Sequence, residues 1–172
     1  GTLREPSAMA LVTSHAPVRT IDDDVSAIAW ACDRYLESGV TAATDAWIEP
    51  GMAEAYIEAS RRGLLTIDCK LCFLAQPDSW RSRITYFSDL RKEIESLGAN
   101  SMLAAKTIKF IGDGALSAGT AALLEPYLDD PASTGLLIWD TDEMIDAAVL
   151  FDEQGYQLHI HGIGDAAVRQ AL

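Results

Sequence analysis

Segments with strand character alternate with helical segments along this chain, and no other feature limits its possible folds as strongly. The predicted strands are 40–46, 64–75, 104–111 and 156–161. The predicted helices are 22–38, 51–62, 86–97 and 141–154, and a further helix begins near Asp165. Such alternation predicts parallel βα units, arranged either as an open doubly wound sheet or as a closed barrel.

The distribution of polar residues on two strands favours the barrel. Strands that are buried on both faces of an open sheet are usually continuous apolar runs. Here one face of the last strand carries Gln157, His159 and His161, and one face of the third carries Thr107 and Lys109. A barrel accommodates such strands, because its outer face packs on helices while its inner face forms an active site. We therefore predict an α/β fold whose four parallel βα units suit a barrel better than an open sheet.

Length and charge exclude several classes of protein. The chain has 172 residues, of which 49% are hydrophobic, which is enough to bury the core of a single globular domain. The 13 basic and 26 acidic residues give a net charge of −13, which would repel nucleic acid and anionic membrane surfaces. No apolar run reaches the roughly 20 residues that span a bilayer, and the first residues lack the pattern of a signal peptide.

The three cysteines, Cys32, Cys69 and Cys72, are too few for a disulfide framework. They are interpreted as thiols in a reducing compartment or as buried small side chains. A cytoplasmic location is favoured, but the location of the parent protein is unknown because its N-terminus is not visible in this sequence. Cys69 and Cys72 are three positions apart in a predicted strand, so their thiols should lie on opposite faces and not chelate one metal together. We interpret them as core cysteines rather than as a metal or redox pair.

The segment QLHIHGIGD, residues 157–165, holds the densest group of potential ligands. His159 and His161 share one strand face, and the strand ends at Gly162, where ligands gather in barrels. Neutral imidazole is a common ligand of zinc and other transition metals, but a pair of buried, hydrogen-bonded histidines is an equal alternative. The glycines of GIGD could also hold a phosphate at a helix N-terminus, although Asp165 would oppose an anion.

Lys109 is predicted to point into the barrel between apolar neighbours. A buried charged amine is costly, so it must be paired, shift its pKa or be chemically modified. Asp113 and Asp45 are the candidate partners. Asp113 also lies between Gly112 and Gly114, an arrangement typical of a turn.

Four segments, in this order and spacing, resemble amidohydrolase family 3, the group typified by N-substituted formamide deformylase. They are GTLRE, GVTAATDA, TIKFIGDGALSAGTAALLEPY and GYQLHIHGIGDAAVRQAL. The resemblance covers nearly the whole chain, and the last two segments together are far more specific than either alone. It implies a partial (β/α)8 TIM barrel of about four parallel βα units, in which residues 1–172 are a single internal fragment of a metal-dependent amidohydrolase barrel domain. This fragment would cover about the second to fifth strands of the barrel.

The resemblance also implies roles for particular residues. In this family the lysine of the fourth barrel strand is commonly carboxylated and bridges two divalent metals, which corresponds to Lys109 here. The histidine of the fifth strand is a metal ligand, which corresponds to His161. His159, Asp165 and Asp113 are expected to contact substrate or to support the ligands. The expected cofactor is zinc, as one or two ions, with iron or manganese as alternatives.

The reaction that the resemblance implies is hydrolysis of a non-peptide C–N bond, in a formamide, amide or cyclic amide, by metal-activated water. The family's first-strand H-x-H pair, sixth-strand histidine and eighth-strand aspartate, the general base, have no counterpart here. No catalytic residue is therefore assigned, and the piece alone is expected to be inactive. Gly162 and Ala166 also replace an alanine and an arginine of the usual HAIGDRA, which affects the expected substrate contacts near that turn.

A function of another class is also compatible with these motifs. A non-catalytic α/β binding or regulatory module could keep this fold and hold an anion at the GIGD or GDG turn. Stoichiometric metal in the full-length protein would favour the hydrolase over this alternative.

Association between chains is expected from the strand count. A barrel has no sheet edges because its first and last strands pair, whereas four strands leave two edges open. Open edges promote pairing between chains. We therefore expect the chain to form a homo-oligomer. The expected ligand of the parent enzyme is a small-molecule substrate of the amide type.

Overall fold

The computed structural model of the chain describes residues 5–98 and 100–172. Its helices are α1 (Glu5–Thr13), α2 (Ile21–Glu37), α3 (Met52–Arg61), α4 (Trp80–Ser96), α5 (Thr141–Glu153) and α6 (Asp165–Ala171). Its strands are β1 (Ala42–Ile48), β2 (Asp68–Leu74), β3 (Leu103–Ile111) and β4 (Gln157–His161), and a turn of 3-10 helix spans Leu116–Ala118. The first four residues of the GTLRE segment lie outside the described residues.

The strands form one parallel sheet in the order β1-β2-β3-β4. Each strand pairs with the next strand along the chain, and a helix lies between them in the sequence: α3, α4 and α5 in turn. A doubly wound sheet reverses its strand order at a switch point, and this sheet has no reversal. The predicted α/β fold with parallel βα units is confirmed, and its strand order is that of part of a (β/α)8 barrel.

The outer face of the sheet packs on the helices and forms the core. On β3, Ile108 and Phe110 are fully buried on this face, as the alternation of a strand requires. Phe151 of α5 lies at the centre of an aromatic cluster. Its ring centroid lies 5.9 Å from that of Trp80, 6.1 Å from Phe87, 6.3 Å from Phe110 and 5.9 Å from Tyr156. These tilted and edge-on contacts, together with the buried area, hold α4 and α5 against the sheet.

Side-chain caps determine where two of the helices begin. The Thr20 hydroxyl accepts a hydrogen bond from the Asp23 N–H (3.2 Å) and the Asp23 carboxylate accepts one from the Thr20 N–H (2.8 Å). At the start of α5, the Asp140 carboxylate accepts the N–H groups of Asp142 (3.0 Å) and Glu143 (3.2 Å). These caps satisfy backbone donors that have no partner within the helix.

Two elements have boundaries different from those predicted. α4 begins at Trp80 rather than at residue 86, because the buried Trp80 extends the apolar stripe of Phe87 and Leu90 toward the N-terminus. β2 begins at Asp68 rather than at residue 64, because its pairing with β1 starts only there.

α1 occupies a part of the chain where the sequence predicts no element. Leu11 and Val12 on it are 69% and 61% exposed, so the helix contributes little to the core. Within residues 5–98 and 100–172, no helix combines the length and the apolar character needed to cross a membrane.

Candidate functional site

The inner face of the sheet, opposite the face that packs on the helices, carries the predicted site residues of β3 and β4. Lys109 and His159 are register partners on these neighbouring strands, so their side chains lie side by side. His161 occupies the next position of the same face toward the C-terminal end of β4, in register with Ile111. Barrel enzymes hold their ligands at this end of the strands.

Lys109 is buried, with 7% of its surface exposed. Neither expected partner pairs with it. Asp45 accepts a hydrogen bond from the Tyr56 hydroxyl (2.9 Å), and Asp113 is engaged by backbone N–H groups. Among the described residues, the Lys109 amine makes no hydrogen bond or ion pair, so the proposed Asp45 or Asp113 ion pair is wrong.

The surroundings of Lys109 change the pKa of its amine. Burial lowers this pKa, and the nearby Cys72 thiol opposes the effect. A lowered pKa increases the fraction of neutral amine, which is the nucleophilic form. A shift of its pKa is one of the three responses to burial that were expected for Lys109.

Cys72 of β2 reaches the same group of side chains. Its Sγ lies 3.8 Å from Nδ1 of His159, although the two residues are two strands apart. Burial raises the pKa of the Cys72 thiol, while a hydrogen bond from Thr107 and the charge of Lys109 oppose that shift. Burial and the Lys109 charge both lower the pKa of His159, which favours the neutral form of its imidazole. Cys72, His159 and Lys109 form the inner-face cluster.

The C-x-x-C cysteines do lie on opposite faces. Cys69 contacts Cys32 of α2 on the outer side, where burial and Cys32 raise the pKa of the Cys69 thiol to about 12. Cys72 points to the inner face, so the interpretation of both as core cysteines misses its contact with His159. The alternation of side chains along β2 is the sequence signal that could have placed Cys72 on the inner face. The register agrees, because Cys72 pairs with Thr107, which lies two positions from Lys109 on the same face of β3.

His161 faces the turn that follows β3 rather than the inner-face cluster. Its Nε2 lies 3.1 Å from the carbonyl oxygen of Gly114 and 3.5 Å from Oδ1 of Asp113. A carbonyl oxygen can only accept, so Nε2 must carry the proton in this arrangement. In the tautomer with this proton on Nε2, the lone pair is on Nδ1.

Asp113 joins two turns that are distant in the sequence. Its buried carboxylate accepts N–H groups of Ala122 (2.9 Å), Ile163 (3.0 Å) and Gly164 (2.7 Å). Two of the GIGD donors, the N–H groups of Ile163 and Gly164, are thus occupied by the chain's own carboxylate rather than left open for a phosphate. Asp113 therefore connects two loops rather than forming a simple local turn.

The loop 112–127 is fastened to the β4–α6 turn from a second direction. Asp165 accepts the N–H of Leu124 (2.9 Å) and of Ala166 (3.0 Å), and the Ala166 N–H is also 3.1 Å from the carbonyl oxygen of Ala122. A Cβ on Gly164 would lie 1.8 Å from the Ala122 oxygen, so only glycine permits this approach. Asp165 therefore lies outside the inner-face cluster, at the junction of two turns.

The structure thus brings Lys109 together with His159 and Cys72, and His161 together with Asp113 and Gly114. No group of three or more His, Cys, Asp or Glu residues within the described part of the chain is arranged to hold a metal ion. A buried lysine without a partner and a neutral imidazole at the ends of adjacent strands do fit part of a metal site. A complete site needs further ligands.

Comparison with known proteins identifies the family. The family model described as "Amidohydrolase family" matches residues 1–172. The protein LONG AFTER FAR-RED 3 of Arabidopsis thaliana is 26% identical over 94% of this chain and 28% of its own length. A putative amidohydrolase of Bacillus subtilis (strain 168), YtcJ, is 37% identical over 65 residues, which are 38% of this chain and 12% of that protein.

Two crystal structures share the fold, and both are described as uncharacterized metal-dependent hydrolases. The one from Pyrococcus horikoshii OT3 has a TM-score of 0.73 at 26% identity, covering 97% of this chain and 33% of its own. The one from Pyrococcus furiosus also has a TM-score of 0.73, at 25% identity, covering 98% of this chain and 34% of its own. The chain spans about a third of the length of these structures.

Proposed function

This chain belongs to the amidohydrolase family, and from that premise we propose that Lys109 and His161 are metal ligands of a hydrolase acting on non-peptide C–N bonds. The substrate class is a formamide, an amide or a cyclic amide. Zinc is the favoured metal, as one or two ions, with iron or manganese as alternatives. The observation that carries the proposal is the burial of Lys109 on the inner face without any acidic partner.

Carboxylation of Lys109 would resolve the burial of its amine. A neutral amine attacks carbon dioxide, forms an N–C bond and releases one proton, which leaves an anionic carbamate. Because the pKa of Lys109 is lowered by burial, the amine is neutral more often than an exposed lysine would be. A carbamate beside a divalent cation is paired, whereas an ammonium in the same place is not.

His161 is suited to bind through Nδ1. The Gly114 carbonyl oxygen, 3.1 Å from Nε2, would hold the other ring nitrogen as a donor. Ligating histidines generally donate their second N–H to a carbonyl or carboxylate, which fixes the tautomer and the ring orientation. Asp113, 3.5 Å from Nε2, adds a negative charge on the same side.

A divalent metal in such a site would lower the pKa of a bound water and polarise the substrate carbonyl. The remaining ligands and the general base are proposed to come from other strands of the full-length enzyme. His159, on the exposed side of the inner face, is available to contact substrate or a ligand, and Asp165 supports the turn after β4.

The test is metal content and hydrolysis in the full-length enzyme that contains this chain. Changing His161 to Ala is expected to lower metal content and the hydrolysis of an N-formyl amide together. His15→Ala changes an exposed histidine near the N-terminus and is the matched control. Full metal content in the His161→Ala enzyme would show that His161 is not a ligand. The 172-residue chain alone is expected to show no turnover of the same substrate.

We also propose that the chain self-associates through its sheet edges. Within the described residues, β1 pairs only with β2 and β4 only with β3. Residues 9–20 are exposed, and within the described residues none of them belongs to the sheet. Trp47 on β1 is 44% exposed and adds apolar surface to that edge.

Light scattering on a size-exclusion column tests this association. The wild-type chain is expected to elute with at least twice the monomer mass of 18.6 kDa. Thr44→Lys, which places a charge on an exposed position of β1, should shift the population toward monomer. A wild-type chain that is monomeric at micromolar concentration would refute association.

A further inference from the structure

Two independent features of the inner-face cluster suggest a ligand. The first is the contact between Cys72 and His159, a thiol and an imidazole from strands that are not neighbours. The second is Lys109, which is nine-tenths buried, lies within electrostatic reach of both residues, and has no hydrogen bond or ion pair among the described residues. A lysine side chain that is buried over most of its length beside a thiol and an imidazole leaves room for a ligand among these three groups.

We propose that Cys72 Sγ and His159 Nδ1 bind one borderline or soft divalent cation, such as zinc, cobalt(II) or cadmium, beside Lys109. This position differs from the one proposed for His161, because Nε2 of His161 contacts Gly114 and Asp113 instead of the cluster. It assigns Cys72 a role that neither the sequence pattern nor the family implies. The inference does not depend on His161 being a ligand.

The distance between the two atoms fits a shared cation. Zinc–sulfur bonds of about 2.3 Å and zinc–nitrogen bonds of about 2.0–2.1 Å, at a tetrahedral angle, separate the two ligand atoms by about 3.6 Å. The observed separation of Sγ and Nδ1 is 3.8 Å. Both ligands are therefore already close to the separation they need, and only a small side-chain adjustment is required.

Burial and access suit such a site. Cys72 is 1% exposed, so the metal–sulfur bond would be shielded from water. His159 is exposed, which leaves a path from solvent to the pair. On binding, the thiol loses its proton to solvent as the sulfur–metal bond forms, and Nδ1 of the neutral imidazole donates its lone pair. Lys109 lies beside the two ligands, within electrostatic reach of both.

The other two cysteines provide matched controls within the same chain. Cys32 and Cys69 are also free and buried, but they contact each other between α2 and β2 on the outer side of the sheet. Cys69→Ala removes a buried thiol from the same strand as Cys72 without changing the inner face. Any signal that depends on Cys72 alone therefore identifies the inner-face cluster.

Cobalt(II) titration of the chain, followed by absorption, tests the proposal. Thiolate coordination produces a sulfur-to-cobalt charge-transfer band in the near ultraviolet. This band is expected in the wild type and in the Cys69→Ala and His161→Ala chains, and it should be absent from Cys72→Ala and Cys72→Ser. His159→Ala should weaken cobalt binding at least about tenfold.

Circular dichroism of each metal-free variant separates loss of the site from loss of the fold, and the serine variant preserves the side-chain volume. A wild-type chain without the band at saturating cobalt overturns the proposal, and so does a band that persists in folded Cys72→Ala. The test of the Cys72 and His159 site is independent of the proposal that His161 is a ligand, because His161→Ala is expected to keep the band. The His161 proposal is tested separately, by the metal content of the full-length enzyme.

Discussion

The two faces of the same sheet differ in composition, and β3 displays both. Ile108 and Phe110 are completely buried among apolar side chains on the outer face. Lys109 lies between them in sequence, on the inner face, and is also buried, but no hydrogen bond or ion pair to another described residue holds its amine. Apolar contacts on the outer face stabilise the folded state, whereas the burial of polar groups on the inner face destabilises it. Along β3, residues that stabilise the fold therefore alternate with residues of the candidate site.

The C-terminal rim of the inner face is where polar groups do stabilise the fold. Asp113 satisfies three backbone donors of two separate loops, and its carboxylate is fully buried. The contrast between Asp113 and Lys109 shows that burial alone does not decide the energetic effect of a charged group. Hydrogen-bond partners decide it.

The largest predicted effect tests the outer face. Phe151→Ala removes the ring that contacts four other aromatic rings, and it should lower the free energy of unfolding by about 3–5 kcal/mol. Val149→Ala, on the same helix but 52% exposed, is the control and should change it by less than about 0.5 kcal/mol. Urea denaturation measures both. Equal effects would show that the aromatic cluster is not the centre of the core.

A smaller effect is predicted at the rim. Asp113→Ala leaves the N–H groups of Ala122, Ile163 and Gly164 without their acceptor, and should lower the free energy of unfolding by about 2–3 kcal/mol. Asp165→Ala, which removes an exposed carboxylate from the same turn, should lower it by about 1 kcal/mol. If the order of these two variants in urea denaturation is reversed, Asp113 is not the connection between the loops.

The smallest effect, and one of opposite sign, is predicted for Lys109. In metal-free and carbon-dioxide-free buffer, Lys109→Met should raise the free energy of unfolding at neutral pH by about 1 kcal/mol, because a buried amine is replaced by an apolar chain. The folded-state pKa of Lys109 is lowered, so the unfolded chain binds more protons between that pKa and the ordinary value of about 10.4. Wild-type stability therefore rises with pH across this window, and the advantage of methionine shrinks.

Denaturation at several pH values follows this difference. Lys106→Met, at an exposed position of β3, is the control and should change stability by less than about 0.5 kcal/mol. A Lys109→Met chain that is less stable than the wild type at neutral pH would mean that Lys109 has a stabilising partner after all.

Local periodicity was sufficient to predict much of this architecture. The four strands, the helices between them and the inward position of Lys109, His159 and His161 follow from spacing along a few residues, because side chains alternate on a strand and repeat every 3.6 residues on a helix. The first turns of α4 were missed because only contact with α5 shows that Trp80 is buried. The end points of a helix or strand therefore depend on tertiary packing more strongly than its presence in the fold does.

The sequence by itself determined which side chains share a strand face, and the tertiary structure decided which of them meet. Asp113 finds donors 9, 50 and 51 residues away, and Cys72 contacts a histidine 87 residues away. No local period specifies such pairs, since they arise from the register of neighbouring strands and the path of the loops between them. A buried carboxylate that accepts three N–H groups and a thiol beside an imidazole are therefore properties of the folded sheet, although the residues that form them are present in the sequence.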